Sequence, residues 1–388
     1  MELTANWRIP TEILAGPGRI KELAGRVREA GLKRALLVTD PGVAALPFMP
    51  EILASLAKEG VAVAVFSAVH PDPLAEDVAA GVIAFKELGA EAVIAIGGGS
   101  GLDCGKSIAL ASVTDRSLWE FEITLTPPAL NAPIPPIFAV PTTAGTGSEV
   151  GRATVITDAS AKRKIILLHP QMLPRLVILD PELTFGLPAT LTAWTGMDAL
   201  AHNIEAFCVN MYHPIADGIA VEGMHLIKQS LAHAVHDPHN VQARSKMLAA
   251  ASMGATAFQK GLGAIHSLSH PIGAHFHAHH GLTNGVLMPY VLAYNRPAIE
   301  TRITEVARAL GLPGGFDGFL GWVLRLREEL KIPHTIAGLK VTEDALNVLA
   351  AEAFADPNTP DNPRAADTAA MRQILDAAMA GRLEGLER

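Results

Sequence analysis

The chain has 388 residues, 49% of them hydrophobic, 18% charged and only 5% aromatic, with a formal net charge of −8. That length accommodates two domains and that balance excludes a disordered or fibrous chain, with a core packed mainly from Ala, Val, Leu and Ile. No Lys/Arg run resembles a phosphate-backbone footprint, so nucleic acid is not an expected partner, and no apolar run reaches the roughly 18 residues of a membrane span.

The opening MELTANWRIP shows no basic segment followed by an apolar one, so no signal peptide and a cytoplasmic location are expected. The two cysteines, Cys104 and Cys208, are too few for a disulfide framework and fit reduced thiols. Residues 35–39 read as a strand stopped by Asp40-Pro41-Gly42. Residues 50–58 are helical in pattern, 61–66 form a second strand, and 74–88 carry Val78, Val82 and Phe85 at helical spacing. A third strand, 92–96, runs into Gly97-Gly98-Gly99-Ser100 and a helix over 102–111. After a Pro-rich stretch, 127–136, a fourth strand at 137–140 ends in PTTAGTGSE, and short strands fit 154–157 and 176–179.

Strands apolar on both faces with helices between them predict an α/β domain with a parallel, Rossmann-like sheet over residues 1–186. From Leu187 the chain becomes Ala- and Leu-rich with helical periodicity, which predicts an all-α domain over 187–388. Asp180-Pro181 and Leu187-Pro188 bracket the expected hinge.

Gly97-Gly98-Gly99-Ser100 sits where a strand meets a helix. Anions favour that place because a helix N-terminus presents unpaired N–H groups and positive dipole charge, and residues without Cβ let a pyrophosphate approach. The segment is not the GxGxxG fingerprint, and an ordinary Gly-rich turn would look the same. Asp103 has open roles, capping the helix or binding a ribose or a phosphate-linked group. The loop 141–149 combines hydroxyls and glycines, which suits a diphosphate or ribose at a sheet's carboxyl edge. Asp40, at the end of another strand, either forms a turn or accepts from an adenosine ribose; a carboxylate there repels a 2′-phosphate and favours NAD over NADP.

Asp198 and His202 stand four apart in a helical stretch, 195–207, which puts both on one face. Six of the fifteen histidines fall between His266 and His280. One carboxylate with two or three imidazoles is a borderline ligand set suited to Fe2+ or Zn2+, although DxxxH pairs and His-rich loops also occur without metal.

Four motifs, GGGSGLDCGK (97–106), PTTAGTGSEV (141–150), TGMDALAHNIEA (195–206) and HSLSHPIGAHFHAHHG (266–281), resemble those of the iron-containing (group III) alcohol dehydrogenases, in order and spacing. The resemblance covers nearly the whole chain, thinning beyond about residue 300, and implies the dehydroquinate synthase-like architecture. It implies metal ligands at Asp198, His202, His266 and His280, and a catalytic, non-ligand role for His270. It implies NAD contacts at Asp40, Gly98, Gly99, Ser100, Asp103, Thr142, Thr143 and Thr146, with Lys164 near the nicotinamide ribose. His275, His277 and His279 match no fixed family position. A homodimer is expected from family habit.

Gly101 and Gly105 stand where Pro and Ala are usual, which predicts a looser loop; Ala153 stands where some members carry Asn. The segment 258–266 is one residue shorter than in members resembling lactaldehyde reductase, so that substrate is not carried over. The expected activity is hydride transfer between a small alcohol or carbonyl and NAD(H), with His270 relaying a proton directly or through a ribose hydroxyl. Its rivals are a metal-independent reductase of the maleylacetate reductase type and a dehydroquinate synthase-like lyase.

Overall fold

The apolar runs of the first half build a six-stranded sheet in the computed structural model, which describes residues 11–160 and 163–388. The segment read for a leader, residues 1–10, lies outside them. Strands β1 (Glu12–Ala15), β2 (Arg34–Val38), β3 (Ala62–Phe66), β4 (Ala92–Gly97), β5 (Ile137–Pro141), β6 (Ala153–Asp158), β7 (Arg163–Leu168) and β8 (Leu176–Leu179) are present. Six pair in parallel in the order β1-β8-β5-β4-β2-β3. The two edge positions fall to β1 and β3, and every residue of central β4 is buried. β3 lies on one side of β2 and β4 on the other, so the connections reverse direction there and leave a crevice at the carboxyl ends of these strands.

The helices of this unit are α1 (Leu23–Glu29), α2 (Pro41–Ala44), α3 (Phe48–Lys58), α4 (Ala75–Leu88) and α5 (Gly99–Ala111). Leu23, Val27, Ile52 and Leu56 from α1 and α3 pack with Leu37, Ile94, Ile96 and Phe138 on one face. α5 takes the other, because a Cβ added to Gly105 would stand 2.7 Å from Cβ of Ala95, whose side chain points opposite to that of Ile94.

β1 and β7 escaped the sequence reading, and the 154–157 strand joins no parallel sheet: β6 pairs antiparallel with β7 as a separate ribbon. Asp40-Pro41-Gly42 does more than stop β2. Asp40 Oδ1 accepts the Val43 N–H at 3.0 Å with Pro41 in the first turn, which opens α2. Gly101 and Gly105 do not loosen a loop; both are buried within α5, where Gly101 would bring a Cβ to 3.2 Å from the Ile96 carbonyl oxygen. Asp180 is fully buried and accepts from the N–H groups of Gly18, Ile20 and Glu182 at 3.1, 2.9 and 3.1 Å, which ties it into the sheet unit.

A second unit, Pro188–Arg388, is helical. It contains α6 (Ala189–Cys208), α7 (Pro214–His236), α8 (Val241–Ala257), α9 (Ala264–Phe276), α10 (His280–Ala309), α11 (Gly315–Glu329), α12 (Leu346–Ala355) and α13 (Thr368–Ala380). From Thr195 to Cys208 every residue of α6 is buried. Close approach explains the burial: Gly254 of α8 would place a Cβ 2.9 Å from His202 Cβ, and Gly281 of α10 one 3.0 Å from Asp198 Cβ. Among the described residues no helix is long and apolar enough to cross a membrane.

Candidate metal centre and nucleotide edge

The loops after β2, β4 and β5 meet at one edge of the sheet. Gly97 has φ of 155°, and a Cβ on it would lie 3.7 Å from Asp40 Oδ2. A Cβ on Gly98 would meet Thr143 Cγ2 at 3.3 Å, and one on Gly99 would meet Thr146 Cγ2 at 2.7 Å. Thr142 donates its N–H to the Gly97 carbonyl at 2.9 Å, joining the two loops directly. The helical ladder of α5 begins with Leu102 N–H on the Gly98 carbonyl at 3.1 Å. The N–H groups of Gly99, Ser100 and Gly101 therefore precede the first intrahelical bond, the arrangement that receives a phosphate.

Other predicted cofactor residues are engaged within the protein. The Ser100 hydroxyl donates to the Pro71 carbonyl, and Lys164 Nζ donates to Asp72 Oδ1 at 2.6 Å. Thr146 Oγ1 accepts the Ser148 N–H at 3.2 Å. Asp103 does not cap α5, whose N-cap is Gly98. Its oxygens accept from the Ser148 hydroxyl and, at 2.8 Å, from the Val155 N–H, and Oδ1 faces Lys106 Nζ at 3.6 Å. Lys106 in turn donates to the carbonyls of Ser148 and Ala153 at 2.8 and 2.6 Å. Burial pushes the Asp103 carboxyl up and the Lys106 ammonium down, each against the attraction of the other. The pair clamps the segment that follows the Thr-rich loop.

In the helical unit, Asp198, His202 and His266 are buried and offer ligand atoms that all lie within 4.8 Å of one another. Asp198 Oδ1 stands 3.8 Å from Nε2 of His202, 3.8 Å from Nε2 of His266 and 3.5 Å from Nε2 of His280. Asp198 and His202 lie one turn apart on α6, as their spacing predicts. What reads in sequence as one His-rich stretch is two helices: His266 and His270 ride on α9, and His280 begins α10. The joint between them is His277, in the left-handed region at φ 52°.

Hydrogen bonding fixes which ring nitrogens face inward. Glu205 Oε2 lies 2.5 Å from His266 Nδ1, so the carboxylate takes that N–H and leaves Nε2 with its lone pair. The Ser269 hydroxyl donates to the His266 carbonyl at 3.1 Å and therefore receives the His280 Nδ1–H at 3.3 Å. Asn284 Nδ2, a donor only, lies 2.8 Å from Asp198 Oδ1 and 3.2 Å from Nε2 of both His266 and His280. One carboxylate oxygen and imidazole lone pairs thus converge on a buried point, a donor set that fits a divalent cation. Burial opposes protonation of His266, but the Glu205 carboxylate, with Asp198 and Asp356, outweighs it and raises the imidazole above its ordinary value.

His270 turns its Nδ1 away, to Asp356 Oδ2 at 2.7 Å, and stacks on His280 with ring centroids 5.5 Å apart. Burial raises the Asp356 carboxyl, but hydrogen bonds from His270 and Asn358 outweigh this and hold it below the usual range. His275 reaches outward to Glu352 at 2.9 Å, while His279 precedes α10 with its ring 5.0 Å from that of Trp194.

Two family models divide the chain between them: "Iron-containing alcohol dehydrogenase" matches residues 10–181, and the C-terminal model of the same family matches 192–379. The chain belongs to the iron-containing alcohol dehydrogenase family. Among its relatives, the NAD-dependent methanol dehydrogenase of Bacillus methanolicus is 35% identical over 96% of this chain and 100% of its own. A solved 1,3-propanediol oxidoreductase is 34% identical, with a TM-score of 0.92 over 97% of this chain and 100% of that one. The sulfoacetaldehyde reductase of Bifidobacterium kashiwanohense, solved in complex with NAD+, is 29% identical with a TM-score of 0.90 over 97% of this chain and 99% of that one.

Glu205, Asn284, Asp356 and the Asp103–Lys106 clamp escaped the sequence reading. For Glu205 a signal was available: it stands seven residues after Asp198 and three after His202, on the same face of α6. Asn284, four residues after His280 on α10, carried the same kind of signal. Asp356 lies 86 residues from His270, and no local pattern links them.

Proposed function

We propose that the protein is a metal-dependent dehydrogenase that moves hydride between a small alcohol or its carbonyl and NAD(H). The observation that carries this is the gathering of Asp198, His202 and His266, whose ligand atoms lie within 4.8 Å of one another, with His280 Nε2 3.5 Å from Asp198 Oδ1 and the His266 and His280 rings oriented by Glu205 and Ser269. These four side chains would hold Fe2+, with Zn2+ equally suited to the donor set. When bound, the cation supplies electrostatic stabilisation of negative charge on the substrate oxygen, and the dinucleotide supplies the hydride acceptor.

The protein's own residues do the rest. The free N–H groups at the start of α5 and the hydroxyls of Thr142, Thr143 and Thr146 hold the diphosphate, with Gly98 and Gly99 giving it access. The Oδ2 of Asp40 accepts from an adenosine ribose hydroxyl and repels a 2′-phosphate, and Lys164 serves the nicotinamide ribose. His270, held through Nδ1 by Asp356, keeps Nε2 available to take and release the alcohol proton. The relatives act on a diol, on methanol and on a sulfonated aldehyde, so the small-substrate reading extends to this chain while the individual substrate is left to assay.

The test uses His266→Ala and His280→Ala. Both should lose metal on dialysis and lose turnover, while NAD affinity, measured by fluorescence quenching, stays near wild type. Wild-type activity in either variant after chelation would sink the ligand assignment. Assays with short alcohols, diols, hydroxy acids and aldehydes, with NAD(H) and NADP(H), then define the substrate. Full activity without metal would favour a maleylacetate-type reductase, and absence of net NADH formation would favour a lyase.

A further inference from the structure

Glu205 is 5% exposed, and both of its oxygens are committed to the first turn of α9. Oε1 accepts the Ile265 N–H at 2.7 Å, and Oε2 faces His266 Nδ1 at 2.5 Å. The carboxylate sits so close that a Cβ on Gly263 would approach Oε1 to 3.2 Å. One side chain therefore satisfies an N–H at the start of α9 and orients the ligand that the same turn carries.

We infer that Glu205 is a positioning residue for metal binding: by accepting the His266 Nδ1–H it holds the imidazole in the one tautomer whose Nε2 lone pair faces Asp198. This rests on the reading of the Asp198 cluster as a metal site. The tautomer follows from donor inventory alone. A carboxylate only accepts, so Nδ1 carries the hydrogen, and the Asn284 amide, a donor 3.2 Å from Nε2, faces the lone pair there. Because Glu205 lies on α6 with Asp198 and His202, the same helix that supplies two ligands also locks a third from α9. A carboxylate behind a metal-bound imidazole also raises the basicity of that ligand.

Glu205→Gln separates this role from simple helix capping. The Gln carbonyl still accepts the Ile265 N–H, so the α9 cap survives. Its NH2 then opposes Nδ1 and stabilises the other tautomer, which carries a hydrogen on Nε2 towards the metal point. Turning the amide over only moves the donor–donor conflict to Ile265.

Zn2+ affinity is measured on purified, metal-stripped protein by chelator competition. E205Q is expected to bind roughly 10–100-fold more weakly than wild type, with NAD affinity unchanged. Glu205→Asp, which keeps a carboxylate, should bind more tightly than E205Q. In wild-type protein labelled with 15N-histidine and loaded with Zn2+, His266 should show a protonated Nδ1 and a metal-bound Nε2, a signature that does not depend on any variant folding. If E205Q binds Zn2+ as wild type does while His266→Ala does not, the Glu205 inference fails and the metal site stands. If His266→Ala also binds normally, the metal site itself is wrong. A His266 spectrum with hydrogen on Nε2 overturns the tautomer assignment directly.

Discussion

Gly281 offers the sharpest test of how the proposed metal ligands are held. It follows His280 on α10, and a Cβ there would lie 2.2 Å from the Trp194 carbonyl oxygen of α6 and 3.0 Å from Asp198 Cβ. The first of these is about 1.2 Å short of the 3.4 Å at which ordinary contact begins, and a carbonyl in the middle of a helix has no rotamer to escape into. Gly281→Ala therefore forces α10 away from α6 and carries His280 away from Asp198. Overpacking of this kind costs about 1–3 kcal/mol, offset by about 1 kcal/mol of improved helix propensity. A net loss of up to about 2 kcal/mol lowers Tm by up to about 8 °C in a unit of this size. Metal ligands tolerate only about 0.2 Å of displacement, so Zn2+ affinity should fall at least tenfold. Gly285→Ala, one turn further along α10, is the control. Its Cβ would meet only side chains, with Met197 Cβ at 3.2 Å and Ile332 Cγ2 at 3.4 Å, and it should be nearly neutral. Calorimetry and chelator competition on both variants decide the matter. Equal Tm and equal Zn2+ affinity for G281A and G285A would refute the proposed α6–α10 contact as the device that sets His280.

Asp40→Ser keeps a side-chain cap for the Val43 N–H and removes the charge beside Gly97. Relative to NAD, kcat/KM with NADP should rise about tenfold or more, since like-charge juxtaposition costs several kcal/mol; an unchanged ratio would remove Asp40 from the cofactor site. Cys104 and Cys208 are buried, and desolvation pushes both thiols up, Cys208 to about 12. At pH 8 neither should react with a thiol reagent until the chain unfolds, and labelling of native protein within the mixing time would contradict the burial. The sign of the linkage also follows. The folded chain keeps thiol protons that the unfolded chain releases, so this stabilisation is complete below the ordinary thiol value. It is lost as pH climbs from there towards about 12.

Much of the sheet unit was legible in sequence because its signals are local. Strands such as β4 are apolar on both faces, and a strand that runs straight into glycines announces a βα turn. The antiparallel ribbon of β6 and β7 was not legible: the Arg163–Leu168 strand begins with two charged residues, and only pairing with β6 makes it a strand. The α6 spacing of Asp198 and His202 was legible for the same local reason, since 3.6-residue periodicity turns sequence distance into direction.

By itself, then, the sequence determined the family, most strands of the sheet unit, the helical character of the second unit and the kinds of donor atom available, because motifs and periodicity act over a few residues. Only the tertiary structure decided what those donors are coupled to. His266 and Glu205 are 61 residues apart, Asn284 and Asp198 are 86 apart, and Lys106 reaches carbonyls more than 40 residues away. A buried polar group must find its partner wherever packing brings one, and along the buried stretch of α6 that partner comes from another helix, beyond the range of any local pattern.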